Sequence, residues 1–296
     1  MNIPLCSPVG DHQYRILIVG VGKSGGHIIE HLQNRISSTM TLLMIDEETD
    51  DQIVQKIMQK SDLTIITLGL GGKVGSTLTP RLAGMAKDAG AFVLGVVTKP
   101  FRFEGKHRLE TATKALNELN DTMDAIVLIP NDSILPLIDP TKGIKESFQT
   151  LDSFITQTIQ AITGTILASD NNDISIDIND LRSIMAGHGT CFSGWGESKG
   201  HNAASEAITN AIATLGSDKT AIKNASGIIV HFTMNPEFHY MQLAESIDII
   251  HRSVNEWTTV IFATTTDRHH PHDYIRVTLI VAGLDKKILT PVNNVW

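Results

Sequence analysis

Five short apolar runs, rich in β-branched residues and separated by helix-period segments, confine the first half of this chain to a layered, parallel sheet. They fall at residues 15–20, 41–45, 63–68, 92–97 and 125–129, and read as strands buried on both faces. Residues 26–36, 51–60, 76–89 and 106–119 supply the crossover helices, which makes a βαβ series with ligand loops at the carboxyl ends of the strands. Ile144, Phe148, Leu151, Ile155, Ile159, Ile162 and Ile166 then recur every three or four residues, predicting one long helix over 144–168. A polar break at 169–173 follows. Beyond it the pattern predicts helices at 180–186, 202–215 and 240–254 and strands at 227–234, 258–265 and 274–282. The expected organisation is a Rossmann-like nucleotide-binding domain over 1–140, a central helix over 141–170 and a second α+β domain over 171–296.

Charge and cysteine usage narrow the function classes. The 296 residues carry 24 Lys and Arg against 32 Asp and Glu, a formal charge of −8. With no block of five basic residues, electrostatic binding to nucleic acid or anionic lipid is disfavoured. Cys6 and Cys191 are too few for a disulfide framework, and no apolar run reaches the roughly 18–20 residues that span a bilayer. The expectation is a cytoplasmic protein with no direct membrane insertion.

Two glycine clusters carry the first chemical signal. Gly20-Val21-Gly22-Lys23-Ser24-Gly25-Gly26 follows the first strand and leads into a helix, where backbone amides and the helix start favour a phosphate. Gly69-Leu70-Gly71-Gly72-Lys73-Val74-Gly75-Ser76-Thr77 repeats the arrangement after the third strand. Neither matches a Walker loop, because Val74 rather than a hydroxyl residue follows Lys73. Asp46, ending the second strand, suits either ribose recognition in a dehydrogenase-like site or a helix-capping turn.

The segment Thr98-Lys99-Pro100-Phe101-Arg102-Phe103-Glu104-Gly105-Lys106-His107-Arg108 is more specific. Together with Ile129-Pro130-Asn131-Asp132 and Ile176-Asp177-Ile178-Asn179-Asp180, it resembles the FtsZ family of bacterial division proteins in the tubulin superfamily, over about Arg15 to Leu284. The resemblance implies a tubulin/FtsZ-like α/β fold: a GTP-binding domain, a long central helix and a second domain of the GTPase-activating type. It implies GTP or GDP as ligand, with Mg²⁺ as the metal such chemistry would use. It also implies self-association into a head-to-tail filament, and another FtsZ-type chain is a further candidate partner. Carried over by position, Gly20, Gly22, Gly25 and Gly26, with Lys23 and Ser24 among them, fall on the first phosphate loop. Gly71, Gly72, Lys73, Gly75 and Ser76 fall on the signature loop, Glu104 and Arg108 on ribose and phosphate contacts, and Asp152 on the guanine-reading position. Asp177 and Asp180 fall on the acidic loop that polarises water at a neighbour's nucleotide.

Bland readings stand beside these. Asp152 either accepts from guanine N1 and N2 or merely favours the helix dipole, and Asp177 and Asp180 either orient water or complement a helix start. The chain also departs from the family pattern. Lys73 and Val74 replace a Gly and a Thr, so that an ammonium either blocks the loop or sits beside the phosphates. Only fifteen residues separate Asp46 from Asp62, where the family inserts another glycine loop, and Ser175 replaces the usual Asn. These changes predict guanine-nucleotide binding with weakened hydrolysis, or a structural homologue that assembles without turnover. The histidines of 267–273 are read as a solvated connection rather than a metal site, and Trp195, Trp257 and Trp296 as buried in core or interface.

Overall fold

The computed structural model describes residues 14–33, 40–138, 141, 143–167, 173–187, 189–215 and 221–283. Its strands are β1 (Ile16–Val21), β2 (Met40–Ile45), β3 (Leu63–Gly69), β4 (Phe92–Lys99), β5 (Ala125–Pro130), β6 (Thr190–Lys199), β7 (Gly227–Met234), β8 (Thr259–Thr266) and β9 (Tyr274–Ala282). The helices are α1 (Gly22–Leu32), α2 (Asp51–Met58), α3 (Lys73–Asp88), α4 (Lys106–Thr122), α5 (Ile144–Ile166), α6 (Ile178–Met185), α7 (Ala203–Thr214) and α8 (Tyr240–Ser253). Among the described residues the strands form one sheet ordered β2-β1-β3-β4-β5-β6-β9-β7-β8.

Alternation within the strands explains the layers. In β1, Ile16 and Ile18 join the core beneath α1, α5 and α6, whereas Leu17 and Val19 join the core beneath α2, α3, α4, α7 and α8. With helices on both faces, β1, β3, β4 and β5 need no polar side and are buried almost throughout, while β2 at the sheet edge is mostly half-buried or exposed. They pair in parallel; β9 runs antiparallel to β6 and β7.

The strand the sequence hides is β6. It joins the two halves by pairing with β5 over Thr190 to Phe192 before running antiparallel to β9. Its Ser193, Gly194 and Gly196 look like turn residues, but α7 lies directly on this strand. A Cβ on Gly194 would strike the Ala211 carbonyl, and one on Gly196 the Ala207 carbonyl. Close helix packing, not a turn, requires those glycines. The other expected elements are present with shifted ends; expected helix ends at 34–36 and at Ala168 lie outside the described residues. Trp257 is 84% exposed in the connection after α8, which excludes core burial and leaves an interface as its expected place. Trp195 packs edge-on to Phe154, and Trp296 lies outside the described residues.

Helix α5 meets the second half of the sheet through a notch at Gly164, where a Cβ would lie 2.8 Å from both His231 Nε2 and Thr265 Oγ1. His231 is fully enclosed and its Nε2 lies 2.9 Å from Thr265 Oγ1. Burial, aided by the Arg276 charge, pushes its pKa down to about 4.

Two tests follow from this packing. Gly196→Val should lower stability in denaturant unfolding by about 2–3 kcal/mol through overpacking, while Gly84→Ala, with nothing within 4 Å of the new Cβ, should be neutral or stabilising. Because His231 stays neutral in the fold while the unfolded imidazole charges near 6.5, stability should fall as pH drops from about 6.5 to about 4, by ~3 kcal/mol. His231→Gln should flatten that part of the unfolding profile.

Candidate functional site

The order β2-β1-β3 reverses direction at β1, and a crevice forms beyond the carboxyl ends of strands at such a point. A cavity of about 580 Å³ opens there, walled by α1, the connections after β3, β4 and β5, and the first half of α5. Its volume is in the range that holds a nucleotide-sized ligand.

Two pairs of side chains set four residues apart build its walls. His27 and His31 share a face of α1, and Phe148 and Asp152 share a face of α5. His31 Nε2 lies 3.9 Å from Asp152 Oδ2. Burial raises the Asp152 pKa, and the nearby His31 and His27 draw it partly back. Phe148, the one phenylalanine lining the cavity among the described residues, meets Phe101 edge-on at 5.8 Å, and Phe101 stacks on Phe103 at 4.8 Å. Asn131, at the end of β5, is 5% exposed, and its Oδ1 has no hydrogen-bond partner among the described residues. A buried acceptor on a residue that lines a cavity is incomplete without a donor from a ligand or water.

The rim carries cations beside the carboxylates of Glu30, Glu104 and Asp152. Lys23, Lys145 and Arg108 line it. Arg108 Nη1 bonds Glu104 Oε2 at 2.9 Å, while Glu104 Oε1 accepts the Phe101 N–H at 2.8 Å, so Glu104 is fixed between helix start and turn. The helices beginning beside the cavity, α1, α3 and α4, carry Lys23, Lys73 and Lys106 in their first turns and no acidic residue there.

Of the residues expected to bind nucleotide, Lys23, Ser24, Glu104, Arg108 and Asp152 line the cavity. The glycines act on the backbone instead. Helix α1 begins at Gly22, so the first glycine cluster is a helical turn rather than a loop, and it has no side-chain cap. Gly20 and Gly25 touch so closely that a Cβ on Gly25 would lie 2.7 Å from the Gly20 carbonyl carbon. Gly26 faces Met44, and Gly22 takes a positive φ of 67°. Gly71 has φ 87° beside Arg108, Gly72 is the residue before α3, and Gly75 rests on Leu68. Ser76 lies in the first turn of α3. Lys73 is exposed and is not among the residues lining the cavity, so it does not plug it. Asp46 is committed locally, its Oδ1 accepting from Glu48 N–H and from Thr49 Oγ1. His27, His31 and Lys145 were not singled out by sequence reasoning, and Phe148 was read only as part of the apolar stripe of the central helix; the signal for the histidines and for Phe148 beside Asp152 was four-residue spacing on one helix face. Asn131 stood within the Ile129-Pro130-Asn131-Asp132 segment.

Asp177 and Asp180 lie elsewhere. Asp177 caps α6, with Oδ1 accepting the Asn179 N–H at 2.7 Å, and Asp180 Oδ2 reaches back to the Asp177 N–H at 3.3 Å. Asp177 Oδ2 also accepts the Tyr14 hydroxyl at 2.6 Å. The Tyr14 hydroxyl and the Asn179 amide hold the Asp177 carboxyl below its ordinary range. Tyr14 immediately precedes β1, whereas the cavity lies beyond the other end of that strand. The acidic pair and the cavity therefore occupy opposite edges of the sheet, with about 20 Å of α5 between Asp152 and the helix end. Ser175 sits in a segment stitched to β8, where Ile174 N–H donates to Thr264 Oγ1 at 2.8 Å and Thr264 N–H to the Ile174 carbonyl at 2.9 Å. In the 267–273 connection Asp267 Oδ1 accepts the His269 N–H, and His270 stacks on Tyr274 at 4.4 Å. Among the described residues no group of three His, Cys, Asp or Glu is placed to hold a metal ion, and no helix is long and apolar enough to cross a membrane.

A three-layer fold with a cavity at the switch point and a long helix leading to a second sheet half defines a tubulin-type architecture. Known proteins agree. Residues 44–139 match the Tubulin/FtsZ family, GTPase domain, and residues 189–285 the FtsZ family, C-terminal domain. The cell division protein FtsZ of Helicobacter pylori strain J99 is 33% identical over 240 residues, which is 81% of this chain and 62% of that protein. An empty FtsZ dimer from M. jannaschii superposes with a TM-score of 0.83 at 23% identity, over 93% of this chain and 89% of that one. CetZ from Methanosaeta thermophila strain DSM 6194 superposes at 0.72 with 15% identity, over 94% and 89%. The chain is a divergent, FtsZ-like member of the tubulin/FtsZ superfamily.

Proposed function

We propose that this chain binds guanine nucleotide in the switch-point cavity and assembles head to tail as a cytoplasmic division filament, with slow GTP hydrolysis completed by the next copy. One observation carries the reading: a nucleotide-sized cavity with cations on its rim and an exposed acidic helix start lie on opposite edges of one rigid sheet. No chain can bring its own carboxylates to its own cavity, but a translated second copy can. Such heterologous contacts do not close, and they build filaments.

In this reading Phe148 offers a flat apolar face to the base, Asp152 accepts from guanine N1 and N2, and Asn131 Oδ1 takes a donor from the nucleoside. Arg108, Lys23 and the uncapped first turn of α1 face the phosphates. Mg²⁺ carried in with the nucleotide would supply further charge neutralisation. Water positioned by the neighbour attacks the terminal phosphorus as the bond to the GDP oxygen breaks. Two features support slow turnover: the short β2–β3 connection leaves few groups to sense the terminal phosphate, and Asp177 is engaged within its own chain. The second reading, assembly without turnover, draws on that same engagement of Asp177. A dehydrogenase is disfavoured, because the Asp46 carboxylate is occupied in its turn.

Phosphate release per subunit should rise steeply with protein concentration, and the chain should sediment in GTP more than in GDP. Release independent of concentration rejects the composite site; sedimentation without any release selects the non-hydrolysing homologue. Asp152→Ala should weaken GTP binding at least about tenfold and erode preference over ATP, measured by fluorescent nucleotide titration.

A further inference from the structure

The two carboxylates at the start of α6 have different hydrogen-bond inventories. Both oxygens of Asp177 are committed, Oδ1 to the Asn179 amide at 2.7 Å and Oδ2 to the Tyr14 hydroxyl at 2.6 Å. Asp180 uses only Oδ2, in a longer 3.3 Å contact with the Asp177 amide. Its Oδ1 has no hydrogen-bond partner among the described residues, and the residue is exposed. Tyr14 is 163 positions from Asp177 in the chain, and its ring packs against the core shared by β1, α5 and α6. The bond therefore pins the start of α6 to the start of the sheet.

We infer that the acidic pair divides its work: Tyr14 and Asp177 form a brace that positions α6, and Asp180 alone turns a carboxylate oxygen toward the neighbouring copy's nucleotide. This rests on the composite-site reading above. Swinging Asp177 outward would sacrifice the helix cap and a charge-assisted bond to Tyr14 together. A carboxylate already sharing its charge with two donors is also a poorer acceptor for a water proton. Asp180 takes part in the cap through Oδ2 alone, by the longer bond to the Asp177 amide, which leaves Oδ1 to turn outward. Tyr14 and Asp177 are thus positioning residues, and Asp180 is the catalytic candidate.

The test is steady-state GTPase kinetics of the full chain, with assembly followed by sedimentation in a slowly hydrolysed GTP analogue and folding by circular dichroism. Asp180→Asn should lower kcat about a hundredfold or more while assembly persists. Asp177→Ala should lower kcat about tenfold, and Asp177→Asn, whose amide oxygen still caps α6, should restore it to within about threefold of the parent. Tyr14→Phe should lower kcat about three- to tenfold with KM unchanged, since the nucleotide cavity is at the other edge. Asp177→Asn falling as far as Asp180→Asn would mean that both carboxylates act on water and would overturn the division. Unchanged kcat in Tyr14→Phe would overturn the brace. If Asp180→Asn releases phosphate normally, or the parent chain assembles without releasing any, the composite-site reading itself fails and takes this inference with it. Should Tyr14→Phe fail to fold, the contrast between Asp177→Asn and Asp180→Asn decides alone.

Discussion

Along the inner face of α5, Leu151, Phe154, Ile155, Ile159, Ile162 and Ile166 are buried against the side of the sheet that also carries α1 and α6. Each such side chain contributes about 1.5–3 kcal/mol on burial, so this seat is a large fraction of what fixes the helix. The polar groups it buries are mostly answered locally: Thr158 Oγ1 bonds the Phe154 carbonyl at 3.0 Å and pairs with Ser193 Oγ at 2.9 Å, and Thr165 Oγ1 bonds the Ile162 carbonyl at 2.6 Å. The helix has no proline and runs unbroken for 23 residues. Its first half walls the cavity, its flank notches onto His231 and Thr265, and its end delivers the segment that leads into α6. A displacement of this one rod would be felt at all three places.

The same seat explains why the two candidate sites stay apart. Tyr14 ties the start of α6 to the amino end of β1, and Ile174 ties the preceding segment to β8, so the acidic edge is held from both halves of the sheet. On the proposed reading this separation is the source of polarity. A subunit whose donor and acceptor surfaces lie at opposite ends, with no means of folding one onto the other, can satisfy both only by adding copies in one direction.

The parallel strands were legible because burial on both faces leaves a continuous apolar signature, as in β3 and β4, and α5 because its stripe holds its period for 23 residues. Strand β6 was not, since Gly194 and Gly196 carry the imprint of α7, a tertiary contact that local pattern cannot contain. In the cavity, residues within the Phe101 to Arg108 segment were found because local sequence carries their geometry: Glu104 bonds a backbone amide three residues earlier and an arginine four residues later. Several of the glycines read as phosphate contacts also serve packing, because close approach to a phosphate and close approach to a strand require the same absent side chain. Tyr14 carried no signal at all, its partner being 163 residues away.

Of the two lysines that stood against the phosphate reading at the level of sequence, Lys23 supports the proposed reading once its helix is placed, because it lines the cavity and Lys73 does not. A cation in the first turn of a helix opposes the macrodipole, a local cost of about 0.3–1 kcal/mol. Lys23 and Lys73 both occupy such positions, and neither α1 nor α3 has an acidic first-turn residue or a side-chain cap to offset it. By contrast α2, α5, α6 and α7 follow the ordinary rule, with Asp51, Glu146, Asp180 and Glu206 in their first turns. On the proposed reading, an anion at the start of α1 reverses the sign of that cost for Lys23, because dipole and ammonium then act on the same charge instead of on each other. The opposition of dipole and Lys23 at the start of α1 becomes, on that reading and with a polyphosphate in the cavity, a contribution to its binding.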